Sequence, residues 1–227
     1  MKALDEDLAR AATGALARAD PTLGALIARV GPYVLRPRRG VYYELIRSVV
    51  HQQLAGAAAG AIFGRLVRTG GGRLPPAPAL AVASDGTLRG VGLSGRKIAT
   101  IRAVAEAFAD GGLSGRRLAR MDDDAVIAAL TKIKGIGEWT GHMLLMHALR
   151  RPDVLPVGDY GVRKGAASLY GLAQLPGRAE LEALGEPWRP YRTVATWYLW
   201  RQSELAGRER ETAGPRRDPQ LAARKRR

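Results

Sequence analysis

Two short segments hold the residue types from which a reaction could be built. The first is Leu130-Thr131-Lys132-Ile133-Lys134-Gly135-Ile136-Gly137-Glu138-Trp139-Thr140. An amphipathic helix runs into Gly-Ile-Gly, and a second helix follows at once. Two glycines allow a sharp turn that exposes backbone N–H groups at the start of the next helix. Such a helix start binds phosphate oxygens through its unpaired donors and its dipole. Lys132 and Lys134 flank the turn. The alternative is an ordinary glycine-terminated helix followed by a tight turn. The second segment is Pro156-Val157-Gly158-Asp159-Tyr160-Gly161-Val162-Arg163-Lys164, in which Asp159 opens a further helix. Helix capping alone would account for an aspartate there. The two roles are compatible, because a fixed, ionised carboxylate at a helix N-terminus can stabilise a cationic sugar transition state or orient an attacking water. A phosphate clamp followed by a placed carboxylate points to chemistry on a nucleic acid.

Two further groups could serve such chemistry. Aromatic residues make up only 6% of the chain, yet Trp188, Tyr191, Trp197, Tyr198 and Trp200 cluster late. At helical spacing Trp197 and Trp200 share a face, and Tyr198 points elsewhere. Core packing is the default for tryptophan, but the same rings could wall a nucleobase pocket, where their electron-rich faces would favour a cationic, alkylated base. The other group closes an apolar helix: Arg47-Ser48-Val49-Val50-His51-Gln52-Gln53-Leu54. These polar residues either cap that helix or, beside a bound duplex, fill the gap left by an extruded base.

The 227 residues suffice for one large domain or two small lobes, and 46% hydrophobic content supports a real core. The formal net charge is +15, and 30 of the 36 basic residues are arginine. A polyanion is the natural partner of such a surface. A GC-biased genome would also inflate arginine, but it leaves the shortage of acids unexplained. There is no cysteine, which excludes disulfides, thiol nucleophiles, cysteine-ligated zinc and iron–sulfur clusters. Three histidines, His51, His142 and His147, without an HExxH pattern argue against a catalytic transition metal. No signal-peptide core and no membrane-length apolar run are evident, so a soluble, intracellular protein with no membrane partner is expected.

The elements that must position these groups read as helices throughout. Expected helices cover 3–18, Asp20-Pro21 to Val30, and Tyr42 to Val67 with a junction or close packing at Gly56 and Gly60. Further helices are expected at Pro78–Val82, after Ser84, over Ser94–Phe108, and from an Asp122 cap through Ile133. The remainder are Glu138–Leu149, Asp159–Tyr170, Arg178–Leu184 and Tyr191–Leu205. Nothing alternates with period two for long enough to require a strand, so the class is all-α. From Gly207 apolar residues thin out, and a disordered basic tail is expected.

Together these motifs resemble the helix-hairpin-helix DNA glycosylase superfamily, and within it the 3-methyladenine DNA glycosylase II family, over roughly Tyr42 to Leu205. The matching pieces are Arg47–Leu54, Ile133–Thr140, Arg151-Pro152-Asp153-Val154-Leu155-Pro156 leading to Asp159-Tyr160, and Glu186-Pro187-Trp188-Arg189-Pro190-Tyr191 leading to Trp197. The resemblance implies two helical lobes with a DNA-binding cleft between them. It assigns 1–40 to helices joining the C-terminal lobe, 41–150 to the hairpin lobe, 151–206 to the C-terminal lobe and 207–227 to the tail. It implies Asp159 as the catalytic aspartate and Trp139, Met143, Tyr160 and Trp197 as the base pocket. Gln53 and Leu54, with Lys132, Lys134, Gly135, Ile136 and Gly137, would bind DNA, Gln53 at the wedge position. No cofactor is required, although a Na or K ion could be held by the carbonyls of Thr131, Ile133 and Ile136. Members that also cleave the strand have a lysine nucleophile at the position of Trp139, so base release without lyase chemistry is implied. Met143 stands where the family has an aromatic residue, and only about forty residues precede the core where larger members have a β-rich domain. The expected partner is double-stranded DNA with damaged bases, bound by a monomer in the bacterial cytoplasm and drawn to the nucleoid through DNA. Two rivals remain: a glycosylase for oxidised, deaminated or mismatched bases, and a noncatalytic helix-hairpin-helix DNA-binding module.

Overall fold

The computed structural model describes residues 3–213 except 36, 38 and 55. Among the described residues there is no strand, as the unbroken helical periodicity predicted. The helices are α1 (Glu6–Ala19), α2 (Pro21–Val30), α3 (Val41–His51), α4 (Gly56–Thr69), α5 (Ala77–Ala81), α6 (Asp85–Gly90) and α7 (Gly95–Ala109). They continue as α8 (Gly115–Ala119), α9 (Asp123–Thr131), α10 (Glu138–His147), α11 (Tyr160–Tyr170), α12 (Arg178–Leu184) and α13 (Arg192–Ala213), with a 3₁₀ turn at Glu186–Trp188. Side-chain caps set many of the starts. Asp20, Ser84, Ser94, Ser114, Asp122 and Asp159 each accept the backbone N–H three residues on, satisfying a donor the helix itself cannot pair.

The chain forms two compact units, Met1–Leu8 with Val34–Val154, and Ala9–Tyr33 with Leu155–Arg227. In the first, α3 packs on α4, α7 and α10, α5 and α6 pack on α7, and α9 packs on α10. Its buried residues include Leu45, Ile46, Val49, Ile98, Ile101, Leu130 and Leu144. In the second, α13 packs along α11, and both meet α2. Leu23, Leu26, Val162, Ala166, Val194 and Leu199 form its interior.

Two expectations need correction, one helix is unexpected, and one open alternative is decided. The N-terminal forty residues do not all join the C-terminal unit: 1–8 and 34–40 group with the hairpin unit, where Leu4 is buried and its N–H donates to the Arg150 carbonyl at 2.7 Å. Gly207 does not end the last helix, which runs on to Ala213. The residues after it, Arg-Glu-Arg-Glu-Thr-Ala, are mostly good helix formers, and one glycine costs only about 1 kcal/mol. The tail from 214 to 227 lies outside the described residues. No helix is expected between Phe108 and Asp122, yet Ser114 there caps the short α8. Finally, of the two readings left open for Gly56 and Gly60, Gly56 opens α4 and marks the junction, while Gly60 lies within α4, and no atom lies near the place a Cβ would occupy at either, so neither marks close packing.

Candidate active site

In the first unit, α9 ends at Thr131, Lys132 caps it, and the Ile136 N–H donates back to the Ile133 carbonyl at 3.0 Å. The two glycines of the turn differ. Gly135 has φ +91°, the left-handed region, and a Cβ there would stand 2.0 Å from Thr100 Oγ1 on α7. Gly137 is extended, at φ −109° and ψ 176°, with open space at its Cβ position. Only Gly135 is required by backbone geometry; Gly137 caps α10 and contributes no side chain to the amides of its first turn. Ile136 is buried and pins the turn from inside, whereas Lys132 and Lys134 are exposed beside it. Gly141 lets α10 lie close on α9, since a Cβ there would come within 3.1 Å of Ile127.

Gln52 ties this turn to the end of α3. Its Nε2 donates to the Gly135 carbonyl and to Thr140 Oγ1, each at 3.1 Å. The next residue, Gln53, is exposed and sits at φ +55°, and Leu54 is exposed as well. A left-handed residue other than glycine is uncommon and is held by its surroundings. Here the tether at Gln52 and the Lys97 ammonium, which donates to the Val50 carbonyl at 2.6 Å, fix the chain immediately upstream. Burial pushes Lys97 below its ordinary value.

In the second unit, Asp159 caps α11. Its Oδ1 accepts the Val162 N–H at 2.8 Å and the Trp200 Nε1–H at 2.9 Å. The capping reading therefore holds, and the same carboxylate oxygen is also held from a second helix. Asp20, in the same unit, plays a purely structural part. Its Oδ1 accepts from the Leu23 N–H, and its Oδ2 accepts from Trp188 Nε1, at 2.9 Å, and from the Tyr170 hydroxyl. Burial pushes the Asp20 carboxyl up, but donors from Trp188, Tyr170 and the Leu23 and Thr22 amides outweigh it, so the group lies below its ordinary value. Burial and the neighbouring Asp20 charge push the Tyr170 hydroxyl up.

The expected pocket residues fall into different settings. Trp139 is half-buried, and Met143, one turn along α10, is buried. Tyr160 is exposed at the start of α11. Trp197 packs edge-on against Tyr33 and Tyr198, at 5.2 and 4.9 Å between ring centroids, with the Arg201 guanidinium over its face. The tryptophan that touches the carboxylate is Trp200, which helical spacing places on the face of Trp197 without assigning it a role. Its signal is the pairing of late tryptophans three apart, but only the packing of α13 on α11 shows its partner.

The all-helical fold, the glycine hairpin and the carboxylate-capped helix define a class of DNA repair protein. The chain belongs to the HhH-GPD superfamily of base excision DNA repair proteins, whose family pattern matches residues 46–190. It is 38% identical over 188 residues to DNA-3-methyladenine glycosylase 1 of Schizosaccharomyces pombe, spanning 80% of this chain and 82% of that one. The solved structure of the S. pombe 3-methyladenine DNA glycosylase in complex with abasic DNA superposes with a TM-score of 0.80 at 37% identity, covering 86% of this chain and 97% of that one. A DNA-3-methyladenine glycosidase from Bacillus halodurans superposes with a TM-score of 0.75 at 39% identity, over 92% and 95% of the two chains. Among the described residues, no helix is long and apolar enough to cross a membrane.

Proposed function

We propose that this protein removes alkylated bases of the 3-methyladenine type from duplex DNA by hydrolysing the N-glycosidic bond. The observation that supports this most directly is Asp159, a carboxylate whose Oδ1 is held by two donors in a chain of a base excision repair family. The hairpin amides and Lys132 and Lys134 hold a backbone phosphate. The damaged nucleotide leaves the stack, and Gln53 with Leu54 enters the vacancy. Lesions that pair and stack poorly cost less to extrude. Alkylation at a ring nitrogen makes the base cationic, so the C1′–N bond breaks with its electron pair leaving on the base. Asp159 stabilises the positive charge developing on the sugar and accepts a proton from the water that adds to C1′. Trp139 offers no amine for a Schiff base, so the product is an abasic site in an intact strand.

In this reading Trp139, Met143, Tyr160 and Trp197 are the residues that recognise the damaged base, and the working form is a monomer. The neutral carbonyls of Thr131, Ile133 and Ile136 are the donors that would hold an alkali cation, which would add positive charge beside the bound phosphate. The test is a panel of duplexes carrying 3-methyladenine, 1-methyladenine, hypoxanthine or 8-oxoguanine, followed by alkaline cleavage of abasic sites. Release of the methylated purines, lost in Asp159→Asn, is the expected result. Excision of 8-oxoguanine alone, or no excision with intact DNA binding, overturns the reading.

A further inference from the structure

We propose that Trp200 is a positioning residue for Asp159, and that Gly161 and Gly165 are the spacers that let it reach that carboxylate. The inference rests on the reading of Asp159 as the catalytic acid. A carboxylate on a helix cap can rotate about its side-chain bonds. Here Cβ is held by the backbone, and Oδ1 by the Val162 N–H at 2.8 Å and the Trp200 indole N–H at 2.9 Å. With those two ends fixed, the position of Oδ2 follows. The Val162 bond is local and would form at any aspartate cap. The Trp200 bond is not local, since the residues lie 41 apart in the chain, and it depends on how α13 lies on α11.

The two glycines of α11 make that approach possible. A Cβ at Gly165 would stand 2.0 Å from the Leu199 carbonyl oxygen, so the two helix backbones touch there and fix the register of α13. Trp200 follows Leu199 directly. One turn back along the same face of α11, a Cβ at Gly161 would stand 3.0 Å from Trp200 Cδ1 and 3.2 Å from Asp159 Oδ1. A side chain at 161 would enter the space where indole and carboxylate meet. Trp197, one turn earlier on α13, is engaged by Tyr33, Tyr198 and Arg201 instead. The late tryptophans thus divide their work, with Trp200 donating to Asp159.

Single-turnover excision of a methylated purine and affinity for abasic duplex, measured on the full chain, separate positioning from mere packing. Trp200→Phe keeps most of the ring and removes the donor. Its excision rate is expected to fall about ten- to a hundredfold, with affinity for abasic DNA within about twofold of wild type. In an Asp159→Asn background the same change is expected to slow the residual rate no further. An unchanged rate in Trp200→Phe overturns the inference, as does a loss confined to affinity or an undiminished further loss in the Asp159→Asn background. Should Trp200→Phe fold poorly, Gly161→Ala serves instead: alanine favours the helix yet intrudes on the pair, so the rate falls while thermal stability holds. A wild-type rate in Gly161→Ala then sinks the proposal. The indole ¹⁵N–H signal that disappears in Trp200→Phe is also expected to shift in Asp159→Asn, and a signal that stays in place counts against the hydrogen bond. Full excision by Asp159→Asn itself would refute the catalytic reading of Asp159, a result distinct from all of these.

Discussion

The hairpin and the carboxylate are built on opposite plans. At the hairpin, the groups proposed to hold a phosphate are main-chain amides and two exposed lysines, all within one short stretch, and a single glycine with φ +91° shapes the turn. The group proposed to act at Asp159 is one side chain, and it is hydrogen-bonded to an indole 41 residues away. Within the turn the first plan asks for glycine at 135 and a buried side chain at 136, and leaves 132, 134 and 137 exposed. The second depends on helix register, and a displacement of a few tenths of an ångström between α11 and α13 reaches the acid. The hairpin presents its groups from one stretch, although Gln52 and Thr100 brace it from other helices; the carboxylate is aimed by one distant side chain.

Variants can break this contrast, and they rank by size. Asp159→Asn is expected to lower the excision rate by about a thousandfold while abasic-DNA affinity stays within about twofold, read by single-turnover kinetics and anisotropy titration. Gly135→Ala should do the reverse. A Cβ there meets Thr100 Oγ1 at 2.0 Å, so stability falls by about 3 kcal/mol. Affinity weakens about ten- to a hundredfold as amide–phosphate bonds are broken, while the rate at saturating protein changes little. If that saturated rate collapses too, the two plans are not separable.

Asp20→Asn probes the packing that holds α2 in the unit of the acid. Asparagine still caps α2, but the charged hydrogen bonds from Trp188 and Tyr170 are removed, at a cost of about 2 kcal/mol at neutral pH. Because the folded carboxyl lies below its ordinary value of 3.8, its contribution is complete above that value and disappears as pH falls through the lower folded value. Thermal unfolding across acidic pH should therefore show a gap between wild type and variant that closes on acidification; a constant gap would mean the charge is irrelevant. Lys132→Ala with Lys134→Ala is the mildest change. Affinity weakens by about tenfold at most, and the slope of log affinity against log salt shrinks by about one for each phosphate no longer neutralised. An unaltered slope would remove both lysines from the interface.

The contrast also explains what can be read from the chain. The hairpin is legible because its signals are consecutive: a capped helix, Gly-Ile-Gly and flanking lysines. Even there, composition does not separate Gly135, which must be glycine, from Gly137, which need not be, because the distinction lies in Thr100 on a different helix. Asp159 is legible as a cap for the same local reason. Trp200 is not, because choosing between it and Trp197 requires knowing that Gly165 seats on the Leu199 carbonyl. Gly161 and Gly165, four apart on one helical face, are the available clue to a close helix approach. Fading hydrophobicity points to an end of α13 near Gly207, whereas a charged helix needs only formers such as Glu and Arg to continue.

Asp20 has a consequence for where this molecule can be cut. The family pattern spans 46–190, but the unit that holds Asp159 draws on both sides of that span. Asp20 ties α2 to Tyr170 and Trp188, the Gly31 carbonyl accepts from the Tyr198 hydroxyl at 3.0 Å, and Tyr33 meets Trp197. A fragment trimmed to that family pattern would keep Asp159 and discard its neighbours on either side, so a cut at the edges of the pattern passes through the unit that carries the carboxylate.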